Sequence, residues 1–490
     1  MRVNRPGEND SFPDLAAADR PSFWRLDTSR VRPSSEQTID AFSQMAACRL
    51  SDQVDRLFSG AIVNPSEAQP ALHMALRADA PNDWPATPLD ADLAGERDRF
   101  LRVADRLHSG EMGIRDLIHV GIGGSDLGPR LLLDGLGHAG TDLRVHFLST
   151  LDARGLAGLL ERLDPEQTGV LVASKSFSTE ETLLQARAVA DWLGDRFSAR
   201  AFAATARPDR AAAFGFRSDS ILTFPAWTGG RFSMWSSVGT AVAAAAGRDR
   251  FEALLAGAAQ ADADFLRASR LGRNDQLAHQ LSALLHGLRR GMNFSTLGIV
   301  AYEPRLALLG DYLQQLIMES LGKGVDREDV PVDQPTAPLV FAGRGTDAQH
   351  AMFQALHQGT DAHPLILVGA LSDPSVAEDW QRTQLAHLLG QAEAFAHGVQ
   401  SDRACEALPG GRPVSLLMTD ELTPEALGYL LASFEHAVFV LAVLWHINPF
   451  DQWGVEEGKR LARAFKETLK DRRFTLDDLP QASRFLKKNS

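Results

Sequence analysis

Apolar and polar residues alternate with a helical period in the N-terminal part of the chain. Phe42, Met45, Leu50, Val54 and Leu57 recur at intervals of three to five residues, a spacing that places one apolar stripe along a helix. The pattern therefore predicts one or more amphipathic helices. Residues 80–88 follow with three prolines, which indicates a connection.

Beyond this connection, short apolar runs alternate with helical patterns. Such runs occupy residues 117–120, 145–148, 170–173 and 221–224. The first run leads into the glycine-rich residues 121–126 and then into a helix-like segment, and a helical pattern covers residues 181–192. This alternation is typical of an α/β domain built around a mainly parallel sheet.

The strand, glycine loop and helix occur a second time. Residues 339–341 are apolar, residues 342–347 contain two glycines, and residues 348–356 have a helical pattern. Gly345-Thr346-Asp347 matches Gly124-Ser125-Asp126 in residue type, which favours two related α/β units. We predict an N-terminal helical segment at 1–82, α/β domains at 83–250 and 251–455, and a helical tail at 456–490.

Composition and charge narrow the classes of function. The 490 residues include 44% hydrophobic side chains and carry a formal net charge of −13, so we expect no nucleic-acid partner. Only Cys48 and Cys405 occur, which argues against a disulfide framework or a cysteine-rich metal site. The longest apolar run, residues 437–445, is short for a membrane span. We expect a cytoplasmic protein that binds no metal.

Two segments have the composition of an anion site. Residues 121–125 allow backbone N–H groups to approach an anion closely, and Ser125 stands at a helix N-cap position, so a phosphate site and a simple tight turn both fit. Lys175 lies among hydroxyl residues directly after the run at 170–173, at the sheet edge where open α/β folds bind ligands. Ser178 and Glu181 have capping-box spacing, whereas Lys175 suits a phosphate dianion.

Five further side chains are candidates for chemistry, each with a structural alternative. Arg231 follows two glycines and is either a cation of a cleft or a surface arginine. Gln315 and Glu319 share one face of a predicted helix, which is either a solvated stripe or the place of a rigid carboxylate that could serve as a general base. His350 is expected in the first turn of its helix, where Thr346 and Gln349 have capping-box spacing. It is either a capping or partly buried histidine, or a neutral imidazole that exchanges protons with a substrate hydroxyl, since the helix dipole favours the neutral form. Lys459 is either a second cation of the site or an exposed helix lysine.

Together these segments resemble the phosphoglucose isomerase family. The resemblance rests on residues 121–129, 174–182, 229–236, 315–323, 345–360 and 447–459, in the family's order. The last segment, Phe450-Asp451-Gln452-Trp453-Gly454-Val455-Glu456-x-x-Lys459, is highly specific. The resemblance implies two sugar-isomerase type three-layer αβα domains with mainly parallel sheets, terminal helical segments that pack on the second domain, and a homodimer.

The resemblance also implies an activity, the reversible isomerisation of glucose 6-phosphate and fructose 6-phosphate through a cis-enediol in glycolysis and gluconeogenesis, without metal or cofactor. It implies Glu319 as the proton-shuttling base, Arg231 beside the reacting carbons, and His350 with Lys459 as the ring-opening pair, with His350 reaching the neighbouring subunit's site. The implied substrate-binding residues are Gly124, Ser125, Ser174, Lys175, Ser176, Thr179, Gln315 and Gln452.

The sequence departs from the family pattern at three positions. Ser176 and Ser178 stand where threonine is more usual, which preserves the hydroxyl groups, and Asp347 stands where asparagine is common. Two alternatives remain at this point: an isomerase of another phosphosugar, such as an aminosugar or mannose phosphate, and a non-catalytic sugar-phosphate sensor. Loss of Glu319, His350 or Lys459, or an added DNA-binding helix-turn-helix, would favour the sensor, and the sequence has neither feature.

Overall fold

The computed structural model describes residues 23–31, 35–80, 92–470 and 475, with the backbone alone at 35–40. Within these residues the chain forms two compact units, divided between Pro449 and Phe450. Most of the predicted connection at 80–88 and of the tail beyond Lys470 lies outside the described residues. The predicted domain boundaries at 82, 250 and 455 stay predictions.

The first unit contains two five-stranded sheets. The strands are β1 (Trp24–Asp27), β2 (Asp116–Val120), β3 (Arg144–Leu148), β4 (Thr168–Ala173), β5 (Ala201–Thr205), β6 (Ile221–Thr223), β7 (Thr296–Ala301), β8 (Leu339–Arg344), β9 (Leu365–Ser372) and β10 (Val414–Glu421). The first sheet has the order β3-β2-β4-β5-β6 and the second β1-β10-β9-β7-β8. All pairings are parallel except the antiparallel pairing of β1 with β10, which confirms the predicted α/β class with mainly parallel sheets.

Helices connect and cover the sheets. The α-helices of the first unit are α1 (Ser35–Ala47), α2 (Leu50–Phe58), α3 (Leu93–His108), α4 (Leu127–Leu136), α5 (Ala153–Leu160), α6 (Glu180–Leu193), α7 (Phe197–Arg200), α8 (Pro208–Phe214), α9 (Thr240–Ala246), α10 (Arg248–Arg270), α11 (Leu277–His286), α12 (Leu309–Leu321), α13 (Gly345–Ala351), α14 (Phe353–Gln358), α15 (Glu378–His397) and α16 (Pro424–Leu444). Short 3₁₀ helices lie at His73–Leu76, Gly123–Ser125, Gly194–Arg196, Ser218–Ser220, Gly230–Trp235, Ser237–Gly239 and Pro304–Leu306, and a π-helical turn at Gly287–Gly291.

Local sequence explains several of these elements. The amphipathic helices predicted in the N-terminal segment are present as α1 and α2, and Leu50, Val54 and Leu57 face the core. All residues of β2 and β4 are buried, as expected for parallel strands covered on both faces. The N-terminal segment also supplies β1, an edge strand that the helical pattern of this region does not predict.

The predicted repeat is present, but the strands that correspond to each other are not the ones that the residue types suggest. In the first sheet β2 lies between the edge strand β3 and β4, and in the second sheet β7 lies in the same way between the edge strand β8 and β9. β7 is therefore the counterpart of β2, and β8 that of the edge strand β3. Gly345-Thr346-Asp347 follows β8 and is not equivalent to Gly124-Ser125-Asp126 after β2, because similarity of three residues is weaker evidence than strand order.

Among the residues that the structure describes, one helix, α16, is long and apolar enough by length and composition to cross a membrane. It is longer than the apolar run at 437–445 because alanine, glycine and isolated polar residues extend the helix at its start. Within its most apolar window, 94% of the residues are buried inside the fold. Its burial is that of the core helix of a folded domain.

The second unit is described from Phe450 to Lys470 and at residue 475. It contains a 3₁₀ turn at Trp453–Val455 and one helix, α17 (Glu456–Lys470). Ion pairs three residues apart, such as Arg460 with Glu457, line the helix. The predicted C-terminal helix is thus present in the part of the tail that the structure describes.

Candidate active site

The carboxyl ends of β2 and β4 bring the two predicted anion segments side by side. Val120 of β2 is the pairing partner of Val172 of β4, so the loops that start at Gly121 and Ser174 leave the same sheet edge. This is the edge at which open α/β sheets bind ligands. The two segments named from the sequence therefore belong to one place in the fold.

The glycine loop makes close backbone contacts with two other segments. A Cβ atom on Gly124 would lie 2.1 Å from the carbonyl oxygen of Gly230, and one on Gly123 would lie 3.0 Å from Nε2 of Gln315. Gly123 also has a φ of 58°, a conformation that glycine adopts without strain. Only glycine at 124 lets the loop approach Gly230 and Arg231 so closely.

Ser125 does not cap the following helix as predicted. It ends the 3₁₀ turn Gly123–Ser125, and Asp126 is the N-cap residue of α4, with no side-chain cap bond. The cause is the 3₁₀ turn, which moves the N-cap position from Ser125 to Asp126 and so delays the helix by one residue. Ser125 itself is buried within the loop.

The second loop, residues 174–179, has a fixed backbone and exposed hydroxyl groups. The carbonyl of Lys175 accepts from the backbone N–H of Ala206 at 3.1 Å and from Oγ1 of Thr205 at 3.2 Å. Ser178 and Ser176 are exposed, and their Oγ atoms lie 2.8 Å apart in a hydrogen bond. When Ser178 donates this bond, the hydroxyl hydrogen of Ser176 is available to a ligand.

The predicted capping box of Ser178 and Glu181 is wrong. α6 begins at Glu180, with Thr179 as its N-cap residue and no side-chain cap bond. Phe177 causes the change, because its left-handed φ of 45° turns the chain before the helix starts. Ser178 is thereby left one residue outside the N-cap position, next to Ser176.

Unused polar atoms and a cation make this edge suitable for an anion. The buried Oγ of Ser174 has no hydrogen-bond partner among the described residues. Burial lowers the pKa of the Lys175 ammonium, an effect that Glu67 opposes and the positive charge of Arg231 reinforces. A bound anion would relieve this cost, because it offers the half-buried cation a counter-charge. The N-terminus of α6 adds backbone donors to the same edge.

Arg231 is buried and tightly held next to Glu319. Its Nε donates to Oγ of Ser320 at 2.6 Å, and its guanidinium also donates to the carbonyl oxygen of Pro449. Nη1 of Arg231 lies 3.5 Å from Oε1 of Glu319. The surface alternative for this arginine is excluded, because only 2% of Arg231 is exposed.

Glu319 and Gln315 each have an acceptor oxygen that is buried and unpartnered among the described residues. These atoms are Oε2 of Glu319 and Oε1 of Gln315, one turn apart on the same face of α12. A carboxylate with one oxygen beside a fixed cation and the other without a partner can accept a proton from a bound substrate. The arrangement therefore favours the general-base interpretation over a solvated helix face.

His350 lies in the last turn of α13, not in the first as predicted. The helix begins at Gly345 directly after β8, so Thr346 and Asp347 are helical residues and the N-cap residue is Arg344. The predicted capping box with Gln349 is absent, and Nε2 of Gln349 donates instead to the hydroxyl of Tyr302 at 2.9 Å. The dipole argument for a neutral His350 therefore fails, and the side chain is exposed.

Gln452 and Lys459 belong to the second unit. Nζ of Lys459 donates to Oε1 of Glu456 at 2.8 Å within α17. Their placement beside Glu319 stays a prediction. The first unit thus brings together Gly124, Ser125, Ser174, Lys175, Ser176, Thr179, Arg231, Gln315 and Glu319 on adjoining segments.

The sequence profile of the phosphoglucose isomerase family matches residues 27–480. The chain belongs to the phosphoglucose isomerase family. It is 43% identical over 481 residues to a glucose-6-phosphate isomerase of Stenotrophomonas maltophilia, covering 96% of this chain and 94% of the relative. It is 44% identical to a glucose-6-phosphate isomerase of Xylella fastidiosa, over 85% of this chain and 82% of the relative.

Solved structures agree with this membership in the phosphoglucose isomerase family. A glucose-6-phosphate isomerase from Chlamydia trachomatis superposes with a TM-score of 0.82 at 28% identity, covering 94% of this chain and 91% of that one. A hypothetical protein from Thermus thermophilus superposes with a TM-score of 0.64, also at 28% identity, covering 90% and 99% of the two chains. The resemblance read from the sequence is confirmed.

Sequence reasoning missed residues that hold this phosphoglucose isomerase site in place. His119 of β2 is buried, and its Nε2 lies 2.7 Å from the carbonyl oxygen of Ser125, to which it donates. Burial lowers the pKa of His119, against a smaller opposite effect of this hydrogen bond. A histidine among the apolar residues 117–120, directly before a glycine loop, was a visible signal. The carbonyl of Pro449, which accepts a hydrogen bond from Arg231, could not be found in this way, because a backbone group is not identified by residue type.

Proposed function

We propose that this chain catalyses the reversible isomerisation of glucose 6-phosphate and fructose 6-phosphate through a cis-enediol, as an enzyme of glycolysis and gluconeogenesis in the cytoplasm. The supporting observation is the pairing of Glu319 with Arg231, whose Nη1 lies 3.5 Å from Oε1 of the carboxylate. The unpartnered second oxygen of Glu319 is the atom that meets the substrate. Side chains suffice for this chemistry.

The phosphate of the hexose binds at the first sheet. Lys175 supplies the positive charge, and Ser125, Ser174, Ser176 and Thr179 supply hydroxyl groups around it. Gly124 lets the glycine loop lie close to Gly230 and to the backbone of Arg231. Phosphate binding of this kind orients the open-chain sugar, so that its reacting carbons reach α12.

Glu319 transfers the proton between the reacting carbons. It removes the proton from C2 of the aldose, the C–H electron pair forms the C1=C2 bond, and the carbonyl O1 accepts a proton to give the enediol. Return of the proton from Glu319 to C1, with loss of the O2 proton, gives the ketose. Arg231 stabilises negative charge on the oxygens, and Gln315 and Gln452 line the reacting carbons.

His350 and Lys459 open the sugar ring before this step. His350 is exposed on the subunit that carries it, and we assign it to the site of the partner in a homodimer. Each site then combines Glu319 of one chain with His350 of the other. The exposure of the His350 ring supports this assignment, because a group that serves another subunit must be accessible on its own.

A coupled assay of purified protein tests the proposed function. Fructose 6-phosphate should be converted to glucose 6-phosphate in the presence of EDTA and without added nucleotide. Mannose 6-phosphate and glucosamine 6-phosphate, offered in the same assay, separate this activity from that of another phosphosugar isomerase. Binding of phosphosugar with no turnover would contradict the enzyme and favour a sensor.

A further inference from the structure

A cluster of charged side chains is buried beneath the candidate active site. Nε and Nη2 of Arg77 donate to Oδ2 and Oδ1 of Asp262 at 2.8 and 2.6 Å, and Nη1 donates to Oε2 of Glu435. Arg77 is 1% exposed, Glu435 2% and Asp262 3%. None of them belongs to the chemistry proposed above.

The cluster holds the 3₁₀ segment that carries Arg231. Nε1 of Trp235 donates to Oε1 of Glu435 at 2.9 Å, and the guanidinium of Arg77 lies 4.8 Å above the Trp235 ring. Trp235 and Arg231 belong to the same 3₁₀ helix, Gly230–Trp235. A displacement of Glu435 therefore displaces the segment of Arg231.

The same carboxylate lies next to the helix of the proposed base. α16 (Pro424–Leu444), which carries Glu435, packs against α12. Tyr312 of α12 is buried, its hydroxyl has no hydrogen-bond partner among the described residues, and burial together with the negative charge of Glu435 raises its pKa. Tyr312 precedes Glu319 by seven residues, which is two helical turns and places both on one side of α12. Glu435 thus adjoins both elements whose side chains meet in the proposed chemistry.

A buried charged cluster resists displacement. Separating one of its groups from its partners leaves an uncompensated charge, which is strongly destabilising. Stability alone does not require such a cluster, because well-packed apolar residues of similar volume are often equally stable. What a fully paired network does supply is a fixed geometry, and catalytic groups need positions within about 0.5 Å.

We propose that Glu435, held by Arg77, is a positioning residue that fixes Arg231 relative to Glu319. The inference rests on the proposed roles of Arg231 and Glu319 and deepens them. Glu435 acts through Trp235 on one side and through the α12 face at Tyr312 on the other. Loss of the Glu435 contacts should therefore disturb the proton-transfer step and leave phosphate binding intact.

Trp235→Phe tests the proposal. It keeps an aromatic ring beneath Arg77, removes the hydrogen bond to Glu435 and leaves a small cavity, for which a matched control is needed. Trp24→Phe is the matched control, since Trp24 is equally buried and its Nε1 donates to the Ala426 carbonyl at 2.7 Å, on β1 and away from Arg231. Both variants should lose similar thermal stability.

The expected result is a split between kcat and KM. In Trp235→Phe, kcat should fall at least about tenfold, because small misplacements of reacting groups are costly, while KM stays within a factor of about two. Trp24→Phe should keep the kcat of the wild type. Glu435→Gln and Tyr312→Phe, assayed in the same way, should also lower kcat and not KM.

Two outcomes separate the possible failures. If Trp235→Phe loses stability as Trp24→Phe does but keeps kcat, and the Glu435 and Tyr312 variants agree, Glu435 is only structural and the proposal is overturned. Glu319→Gln in the same series tests the proposed function itself. An active Glu319→Gln enzyme refutes the assignment of the base, whereas an inactive one with a normal Trp235→Phe refutes the positioning role alone.

Discussion

The two sheets of the first unit share the order of four parallel strands, β3-β2-β4-β5 and β8-β7-β9-β10, but have opposite chemistry at their carboxyl edges. In the first sheet, the loops after β2 and β4 present Lys175, hydroxyl groups and the unpartnered Oγ of Ser174. In the second sheet, the loops after the corresponding strands β7 and β9 present Glu303 and Asp373. Nε of Arg305 lies 2.9 Å from Oε1 of Glu303, and its Nη2 lies 3.2 Å from Oδ2 of Asp373.

The second edge is therefore closed to an external anion. Its arginine is neutralised by carboxylates of the same chain and also donates to the Leu422 carbonyl at 3.1 Å. The helix that follows β7 instead carries Gln315 and Glu319 toward the first sheet. Topology alone does not select a ligand, because the loops carry the chemistry. In the function that we propose, the loops of the first sheet bind the phosphate, and the helix after β7 carries the carboxylate that reacts.

Glu319→Gln should give the largest effect and separate reaction from binding. The amide keeps the size of the side chain but cannot accept the carbon-bound proton. We expect turnover to fall about 10²- to 10⁴-fold, with the dissociation constant of inorganic phosphate unchanged in calorimetry. Turnover near that of the wild type would show that α12 does not carry the base.

Lys175→Ala should give the converse. Loss of a charge-assisted contact of about 1.5–3 kcal/mol corresponds to roughly 10- to 100-fold weaker binding of phosphosugar and of inorganic phosphate alike. Arg305→Ala is the matched control at the second edge and should lower stability without changing phosphate affinity. Weaker phosphate binding in Arg305→Ala, or unchanged binding in Lys175→Ala, would overturn the contrast between the two edges.

The first edge was predictable from the sequence because its signals are local. An apolar strand followed by a lysine among hydroxyl residues indicates an anion site without knowledge of the tertiary fold. The helix starts were less predictable, since the left-handed Phe177 moved the start of α6 and a direct passage from β8 into α13 moved that of His350. Residue spacing matched a capping box in both places, but backbone angles decided the outcome.

The contact between Arg231 and Glu319 was not predictable from local patterns. The two residues are far apart in sequence, and the segment of Arg231 packs against the glycine loop, where Gly124 lies close to Gly230. Their joint role came from the family resemblance and not from periodicity or spacing. The buried cluster of Arg77, Asp262 and Glu435 also joins three segments that are distant in sequence. It was not predictable, because charged residues are ordinarily expected at the surface.

Mixed dimers test whether His350, on the helix that follows the edge strand β8, serves the site of the partner subunit. We propose no such role for the residues that follow β3. Glu319→Gln and His350→Ala homodimers should each be severely impaired. A mixed dimer has one site with both changes and one with intact Glu319 and His350, so about half of the wild-type activity per dimer should return.

Doubly tagged mixed dimers, purified after co-expression, provide the measurement. The matched control is a mixed dimer of wild-type chain and Glu319→Gln chain, which should also have one intact site and about half of the activity. If the Glu319→Gln/His350→Ala dimer stays as inactive as its parents while this control is active, His350 acts within its own chain or not in catalysis.

The smallest expected effect is the contribution of Lys175, in the first edge, to the pH dependence of the free energy of unfolding. Burial lowers the pKa of Lys175 below its usual value of 10.5 in the folded chain without ligand. Between the lowered value and 10.5, the unfolded chain binds more protons than the folded one, so the free energy of unfolding rises with pH. In Lys175→Met the contribution of Lys175 to this pH dependence is absent, and all other titrating groups are retained. The wild type should therefore gain stability relative to Lys175→Met as the pH rises toward 10 in denaturant titrations.

Inorganic phosphate at pH 7 should stabilise the wild type more than the variant, because the anion pairs with the charged lysine. If the difference in stability between the two proteins does not change with pH, the pKa of Lys175 is not lowered in the folded chain. The contrast between Lys175 and Arg305, which is neutralised within its own chain, would then rest on phosphate binding alone.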